Sequence, residues 1–324
     1  MIKKIIMGEI IMYEYTYNNS LLIEDWEKRL SSPDVQLAKY KKLESTRYFH
    51  LIAEEIVHPI LSDVRIKAFG YNGSTPGPVI VVRQGEWISL TVENRLKDDT
   101  ALHVHGLSKP NSQDGVPEIE PNNVKIKPGT SHTYEFYCWQ SGTFFYHSSM
   151  EFQVSQGLIG AFIVLPLEES LSYNMVPDRD FILLLQQWEI PQQTQLGKVV
   201  PGFFELNKFD RNPNFFTING RAFPNTSPLR VRYGEHIKIR FINKSSQSHS
   251  MHTHGHDFIV TNIDGFLRGS MMDDTIDVAS GRRIEVDFMT NNPGVWPLNG
   301  TKTFHQSNNG VSPGGMITRI VYTG

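Results

Sequence analysis

Four imidazoles stand within eight residues at His249-Ser250-Met251-His252-Thr253-His254-Gly255-His256. Neutral imidazole ligates zinc, copper, iron and nickel, and a His-x-His pair on an extended backbone turns both rings to one side. His252 and His254 therefore share a face. His249, an odd number of positions away, points to the other, so one short segment can serve two separate sites. Twelve histidines scattered at random over 324 residues would give about 0.4 His-x-His pairs, yet there are three: His103/His105, His252/His254 and His254/His256. The spacing points to a metal rather than to a polar loop that happens to carry histidines.

Strands must hold such pairs, and the flanking sequence supplies them. Residues 235–243 (EHIKIRFIN) and 257–263 are rich in β-branched and aromatic side chains. From Arg47 onward, short β-type runs such as PVIVV, WISLTVEN, GTFFYH and LIGAFIVL alternate with Gly, Pro, Asn and Asp turns, the pattern of a β-sandwich. A linker-like stretch, 167–179, follows, and at Asp180 the pattern begins again. The halves repeat their signals in order: Asn72-Gly73 and Asn219-Gly220, a Gly-Glu turn between strands, a His-x-His-Gly, and Gly142-Thr143-Phe144 matched by Gly294-Val295-Trp296. The expectation is an all-β chain of two sandwich domains, 47–166 and 180–324. Ahead of them lies an N-terminal extension, 1–46, partly helical on the spacing of Leu21, Leu22, Trp26 and Leu30, with Pro33 as a break.

Composition narrows the function. An apolar share of 39% suffices for two cores, and a net charge of −3 gives no reason to expect nucleic acid or an anionic membrane as partner. The single cysteine, Cys138, excludes an intrachain disulfide and a thiolate cluster, and suits buried packing. Lys3 and Lys4 begin like a secretion signal, but Gly8 and Glu9 interrupt the apolar patch, and no run of 18 apolar residues follows. A soluble, cytoplasmic protein with no membrane partner is expected.

The elements NGSTPGP (72–78), HVHGL (103–107, the first His being His103), DGVP (114–117), GTFFYHSS (142–149), QGLIGAFIV (156–164), HSMHTHGHDF (249–258), NPGVW (292–296) and GVSPGGMIT (310–318) resemble, in this order, the multicopper oxidase family. The resemblance spans residues 47–324 and implies two cupredoxin-like Greek-key domains. It also implies ligand roles: His103 and His252 for the type 2 copper, His105, His147 and His254 for the type 3 pair, and His249 for the electron-accepting type 1 copper. The family's fourth ligand segment reads His-Cys-His. Here the aligned residues are Asn299, Gly300 and Thr301, with His305 beyond them and Met316 in the axial-ligand region; Ser149 stands where the partner of His147 is expected.

These departures bear on function. A blue copper site needs a thiolate with two imidazoles, and Gly300 has no side chain, so type 1 copper is not expected. Five cluster imidazoles remain: His103, His105, His147, His252 and His254. A second set, His249, His305 and Met316, would offer two imidazoles and a thioether, which favours Cu(I). Asp114, within DGVP, resembles the family's acid that relays protons; the plainer reading is an Asp-Gly turn. His256 is expected to support or lie outside the site, and His50, His58, His132 and His236 to be structural. The leading reading is a copper (Cu2+) oxidoreductase without type 1 copper, taking a small-molecule substrate with O2 at a reduced His-ligated centre. A non-catalytic copper-binding or structural protein on the same scaffold, and a zinc-dependent enzyme, stay open beside it. The resemblance to two-domain relatives further implies a homotrimer, with the first-domain histidines of one subunit facing His252 and His254 of the next.

Overall fold

The computed structural model describes residues 24–167 and 176–324 in full, apart from the side chains of Gln192 and Ser270, and the backbone alone of 2–7, 10–15 and 19–23. Most of the expected linker, 168–175, lies outside the described residues, as do the side chains of Leu21 and Leu22.

Each half of the chain folds as two facing sheets. In the first, Ser131–Tyr137, Trp87–Asn94, Thr46–Pro59 and Val64–Tyr71 form one sheet, and Gly77–Arg83, Ile159–Leu165, Gly142–Ser148 and Leu102–His105 form the other, in that order. Alternation decides the packing between them: Leu90, Val92, Leu102, Val104, Phe144 and Phe162 meet in one buried core. The second half repeats the plan around Phe181, Ile239, Phe241, Met251, Val286 and Leu298. The repeat extends to hydrogen bonds. Asn72 accepts from the Ile52 amide at 2.6 Å and Asn219 from the Leu184 amide at 2.7 Å, and the Nδ2 groups donate to His50 O at 3.1 Å and Ile182 O at 2.9 Å. Both asparagines adopt positive φ, 53° and 52°, which their side chains tolerate as few others do.

The helix Asn19–Arg29 ends where the sequence leads one to expect, ahead of Pro33; before it Ile2–Met7 and Ile10–Tyr15 pair with each other as a separate two-stranded sheet, and after it the extension pairs with both domains. Leu30–Ser31 pairs with Arg179–Trp188, and Tyr40–Leu43 pairs with Thr46–Pro59. The first-domain sheet also takes in Gly202–Phe204, from beyond the 47–166 span. Short extended segments of this kind carry too little periodicity to be told from loop in a sequence.

Two apolar clusters and one buried ionic network join the domains. Val79, Val81, Phe145 and Ile163 of the first half pack against Ile182, Leu184 and Ile242 of the second, with Trp26 of the helix among them. Beside this cluster Arg240 makes a two-point bond to Asp180, 2.8 and 2.7 Å, and a further 2.8 Å bond to Glu285. Trp26 Nε1 donates to Asp180 at 2.7 Å, and Thr143 of the first domain accepts from Arg240 and donates to Glu285. Burial acts to raise the Glu285 carboxyl, but Arg240 and Lys238 outweigh it and hold the group below the usual range.

Arg240→Ala leaves buried Asp180 without its cation and Glu285 with Lys238 alone, 3.6 Å away, and should cost about 3–5 kcal/mol of stability, measured as a lower denaturant midpoint; a loss under about 1 kcal/mol would show the network to be dispensable. Asp287 titrates at about 2: burial raises it, and bonds from His236 and Lys238 more than reverse that. Its folded value lies below its unfolded one, so its contribution is present above about pH 4 and is lost as pH falls toward 2. Asp287→Asn should flatten acid unfolding in that window.

Candidate metal centre

Leu102 and Val104 point into the first core, so His103 and His105 turn outward from it. The neighbouring strand sets His147 opposite His103 and Phe145 opposite His105. Three rings converge, with centroids 5.4 to 5.9 Å apart, and Phe145 stacks on His105 at 4.5 Å. Their ligating nitrogens lie within 4.8 Å of one another. Two nitrogens on one ion at bonds of about 2.1 Å can be at most about 4.2 Å apart, so small ring rotations bring all three onto a single ion.

The tautomers suit this. His103 Nδ1 lies 2.9 Å from Asp114 O and His147 Nδ1 2.7 Å from Ser148 O. A carbonyl only accepts, so each Nδ1 carries the proton and each Nε2 keeps its lone pair. His147 Nε2 is buried without a hydrogen-bond partner, a state that a metal bond would relieve. Burial lowers all three rings, His105 to about 4, and the charges of Lys244 and Arg283 add to it. Asp114 sits behind His103 on its Nδ1 side, its carboxylate 2.7 Å from the buried ammonium of Lys109. Burial raises the Asp114 carboxyl, but Lys109 prevails and holds it ionised. The residue fixes His103 directly, and any proton it moves reaches the ligand face by way of that ring or solvent.

In the second domain the strand His249–Thr253 behaves as alternation requires: His249 is buried and His252 faces out. His252 Nδ1 donates to Asp274 O and meets Thr275 Oγ1, both at 2.9 Å, leaving Nε2 free to ligate. His254 differs. Its Nε2 lies 3.1 Å from Asn299 Oδ1, while Asn299 Nδ2 donates to Gly300 O at 3.0 Å and so fixes which way the amide faces. Nε2 of His254 is therefore a proton donor, occupied by Asn299. Ser149 donates its hydroxyl to Gly115 O, and Thr301 is exposed. Among the described residues His103, His105 and His147 are close enough within one chain to share an ion; His252 and His254 are not part of that group.

His249 and His305 do meet, and Gly300 lies beside His305 and Met316. The two Nδ1 atoms are 3.2 Å apart, and a Cβ on Gly300 would lie 3.5 Å from His305 Cβ and 3.7 Å from Met316 Cβ. His256 is buried behind His254, between its carbonyl at 3.1 Å and the Tyr322 hydroxyl at 2.6 Å. His58 bridges the domains through Gly220 O at 2.7 Å, His236 pairs with Asp287 at 2.8 Å, and His132 stands edge-on to Tyr134. His50 is more exposed and lies 3.3 Å from Glu93. Cys138 is buried in the first core, its thiol pushed up to about 12 by desolvation.

Residues 54–169 match the multicopper oxidase family, and residues 197–312 match it again. The chain belongs to the multicopper oxidase family. Among solved structures it is similar to the blue copper oxidase of Nitrosomonas europaea, at 29% identity and a TM-score of 0.76, and to the multicopper oxidase mgLAC, at 31% and 0.75; each comparison covers 86% of both chains. Among curated relatives it is 31% identical over 197 residues to copper resistance protein A of Escherichia coli and 28% identical over 227 residues to laccase-2 of Thanatephorus cucumeris. It spans only 31% and 38% of their lengths. The family implies copper, and none of these relatives speaks for zinc.

For a multicopper oxidase the ligand set is uneven. The first-domain trio fits copper, by its orphaned Nε2 and fixed tautomers. The position of type 1 copper does not fit, since Gly300 offers no thiolate and Cys138 lies in another core. Sequence reading missed the Asn299 bond to His254, the Lys109 bond to Asp114, and a cavity of about 380 Å³ that runs from His147 past Lys244 to Gln187 and Asp210. Burial raises Asp210 to about 7. Gln187, Asp210 and Lys244 come from segments far apart in the chain and carry no motif. A larger cavity of about 920 Å³ borders His256 and Asp287 but none of the five imidazoles.

The copper-loaded protein should lack the intense absorption of a thiolate-to-copper transition, which a visible spectrum tests; a strong blue band would show a thiolate ligand that the structure does not provide. Asn299→Ala should release His254 and raise copper affinity or stoichiometry. Unchanged binding would mean that the Asn299 bond does not restrain His254.

Proposed function

We propose that the chain is a copper-dependent oxidoreductase of reduced ligand number, acting at a centre held by His103, His105 and His147 of one subunit and His252 of the next. What carries this reading is the buried, unpartnered Nε2 of His147, with His147 and the neighbouring His103 both fixed in the ligating tautomer. Four imidazoles from two surfaces that one chain does not bring together favour a head-to-tail contact, and such a contact closes into a ring, with a homotrimer as the arrangement proposed. His254 stays in reserve behind Asn299.

Bound there, copper supplies a redox-active Lewis acid with open coordination positions. The chain's own residues do the rest. Asp114 and Lys109 lock the His103 ring, Phe145 stacks on His105 and limits its rotation, and Lys244 keeps the surroundings positive. The cavity between the domains leads small molecules and O2 toward His147 from within the subunit. Without a thiolate conduit the chain is a poor acceptor of electrons at a distance, so substrate must meet the centre directly.

A copper-holding protein without turnover is the second reading, favoured by the same loss at Gly300 and by a relative named for copper resistance. Oxygen uptake separates the two: consumption that depends on copper and on added small reductants supports the enzyme, and its absence with copper bound supports the holder. Light scattering of the copper-loaded chain should give three subunits, and His252→Ala should lower copper content and loosen the ring by linkage. A monomer that keeps full copper would overturn the shared centre.

A further inference from the structure

The cavity of about 380 Å³ beside His147 carries charge that the copper ligands do not explain. Its titratable lining is His147, Lys208, Asp210 and Lys244. Burial drives the His147 ring well below its ordinary value, so that ring brings no charge. Lys244 is half-buried, and among the described residues its ammonium has neither an ion pair nor a hydrogen bond. Lys208 lies over the rings of Phe152 and Phe209, at 5.3 and 5.5 Å, and these two rings meet edge-on across the domains at 4.8 Å. Asp210, 7% exposed, is the one acid of the lining, and it pairs with neither lysine. Its Oδ2 accepts from Gln187 Nε2 at 2.7 Å and from Ser246 Oγ at 3.3 Å, while Oδ1 is buried without a partner. Desolvation raises the carboxyl to about 7, against the bonds from Gln187 and Ser246, and the charge of Glu189 adds to the rise. With Oδ2 already accepting twice, the protonated acid carries its hydrogen on Oδ1, a donor with nothing to receive it.

We propose that this interdomain cavity binds a small aromatic carboxylate, its anionic group on Lys244 and Asp210 and its ring against Phe152 and Phe209. The chain supplies cations and an unmet donor here, and no anion of its own answers them. An anion leaving water for a half-enclosed site needs such partners, and a cation entering the same site meets only repulsion, so the lining selects by sign. The apolar walls, Phe152, Phe209, Ile159 and Leu185, select a flat ring over an inorganic ion, and the volume suits one ring. Under the proposed function this is where an anionic substrate waits beside His147. The binding itself needs no copper.

Isothermal titration of the copper-free full chain at low salt tests this, with benzoate, its neutral counterpart benzamide and its cationic counterpart benzamidinium as probes. At about pH 6 benzoate should bind at least about tenfold tighter than benzamide, and benzamidinium more weakly than either. Lys244→Gln should cost benzoate at least about tenfold and leave benzamide unchanged. Asp210 is a donor below its titration and a like charge above it, so benzoate affinity should fall between about pH 6 and about pH 8. Asp210→Asn cannot ionise and should hold that affinity level. Should a variant fail to fold, the native chain decides by salt, which should weaken benzoate and spare benzamide. Saturable benzoate binding that is absent, matched by benzamide, insensitive to salt, or unchanged in a folded Lys244→Gln variant overturns the proposal. Oxygen uptake plays no part in the test, so failure of the copper reading and failure of this one are told apart.

Discussion

One antiparallel register, His147 opposite His103 and Phe145 opposite His105, is the constraint on which the candidate centre depends. Strand alternation already sends Leu102 and Val104 into the core and the two histidines away from it. A slip of one residue would turn His147 to the other face and set it among apolar side chains. The register is pinned on both sides, by the core on one face and on the other by the packing of Phe145, Ile159 and Ile163 against the second domain. The interdomain cluster therefore does two things: it joins the halves, and it fixes the strand that completes the trio.

The buried network around Arg240 belongs to the same interface. Asp180 and Glu285 are carboxylates that one guanidinium satisfies, and Thr143 brings the first domain into the same set of bonds just four residues ahead of His147. Burying charge here costs desolvation, and its return is a defined angle between two otherwise apolar faces. The helix Asn19–Arg29 takes part through Trp26, so a segment that looks like an appendage in the sequence is an integral part of the joint.

Much of this was legible in the residues. Alternating runs and repeated Asn-Gly turns foretell two sandwiches, and parity along 249–254 separates His249 from His252 and His254, as the strand shows. The closeness of His249 to His305, and of His305 and Met316 to Gly300, could be expected from a resemblance rather than from spacing. Pairing through space was not legible. Nothing in Asn299 announces that its amide turns to His254, nothing in Lys109 that its ammonium is buried against Asp114, and the strands Leu30–Ser31 and Gly202–Phe204 are too short to show a period. Such features depend on which loops fold back together, and sequence-local patterns hold no record of that.

The ligand losses follow a physical pattern. Where the family expects imidazoles, Asn299 and Ser149 offer hydrogen bonds that engage a neighbouring ring or carbonyl, and Gly300 removes a thiolate without filling its place. On the proposed function, the scaffold is kept while the number of coppers it can couple falls. Electron paramagnetic resonance with spin quantitation against total copper tests this most directly, on oxidised protein loaded with Cu(II). The account predicts that all the bound Cu(II) is visible, with nitrogen couplings and without the narrow copper splitting of a thiolate site; a silent, spin-coupled fraction, or a thiolate signature, would contradict it.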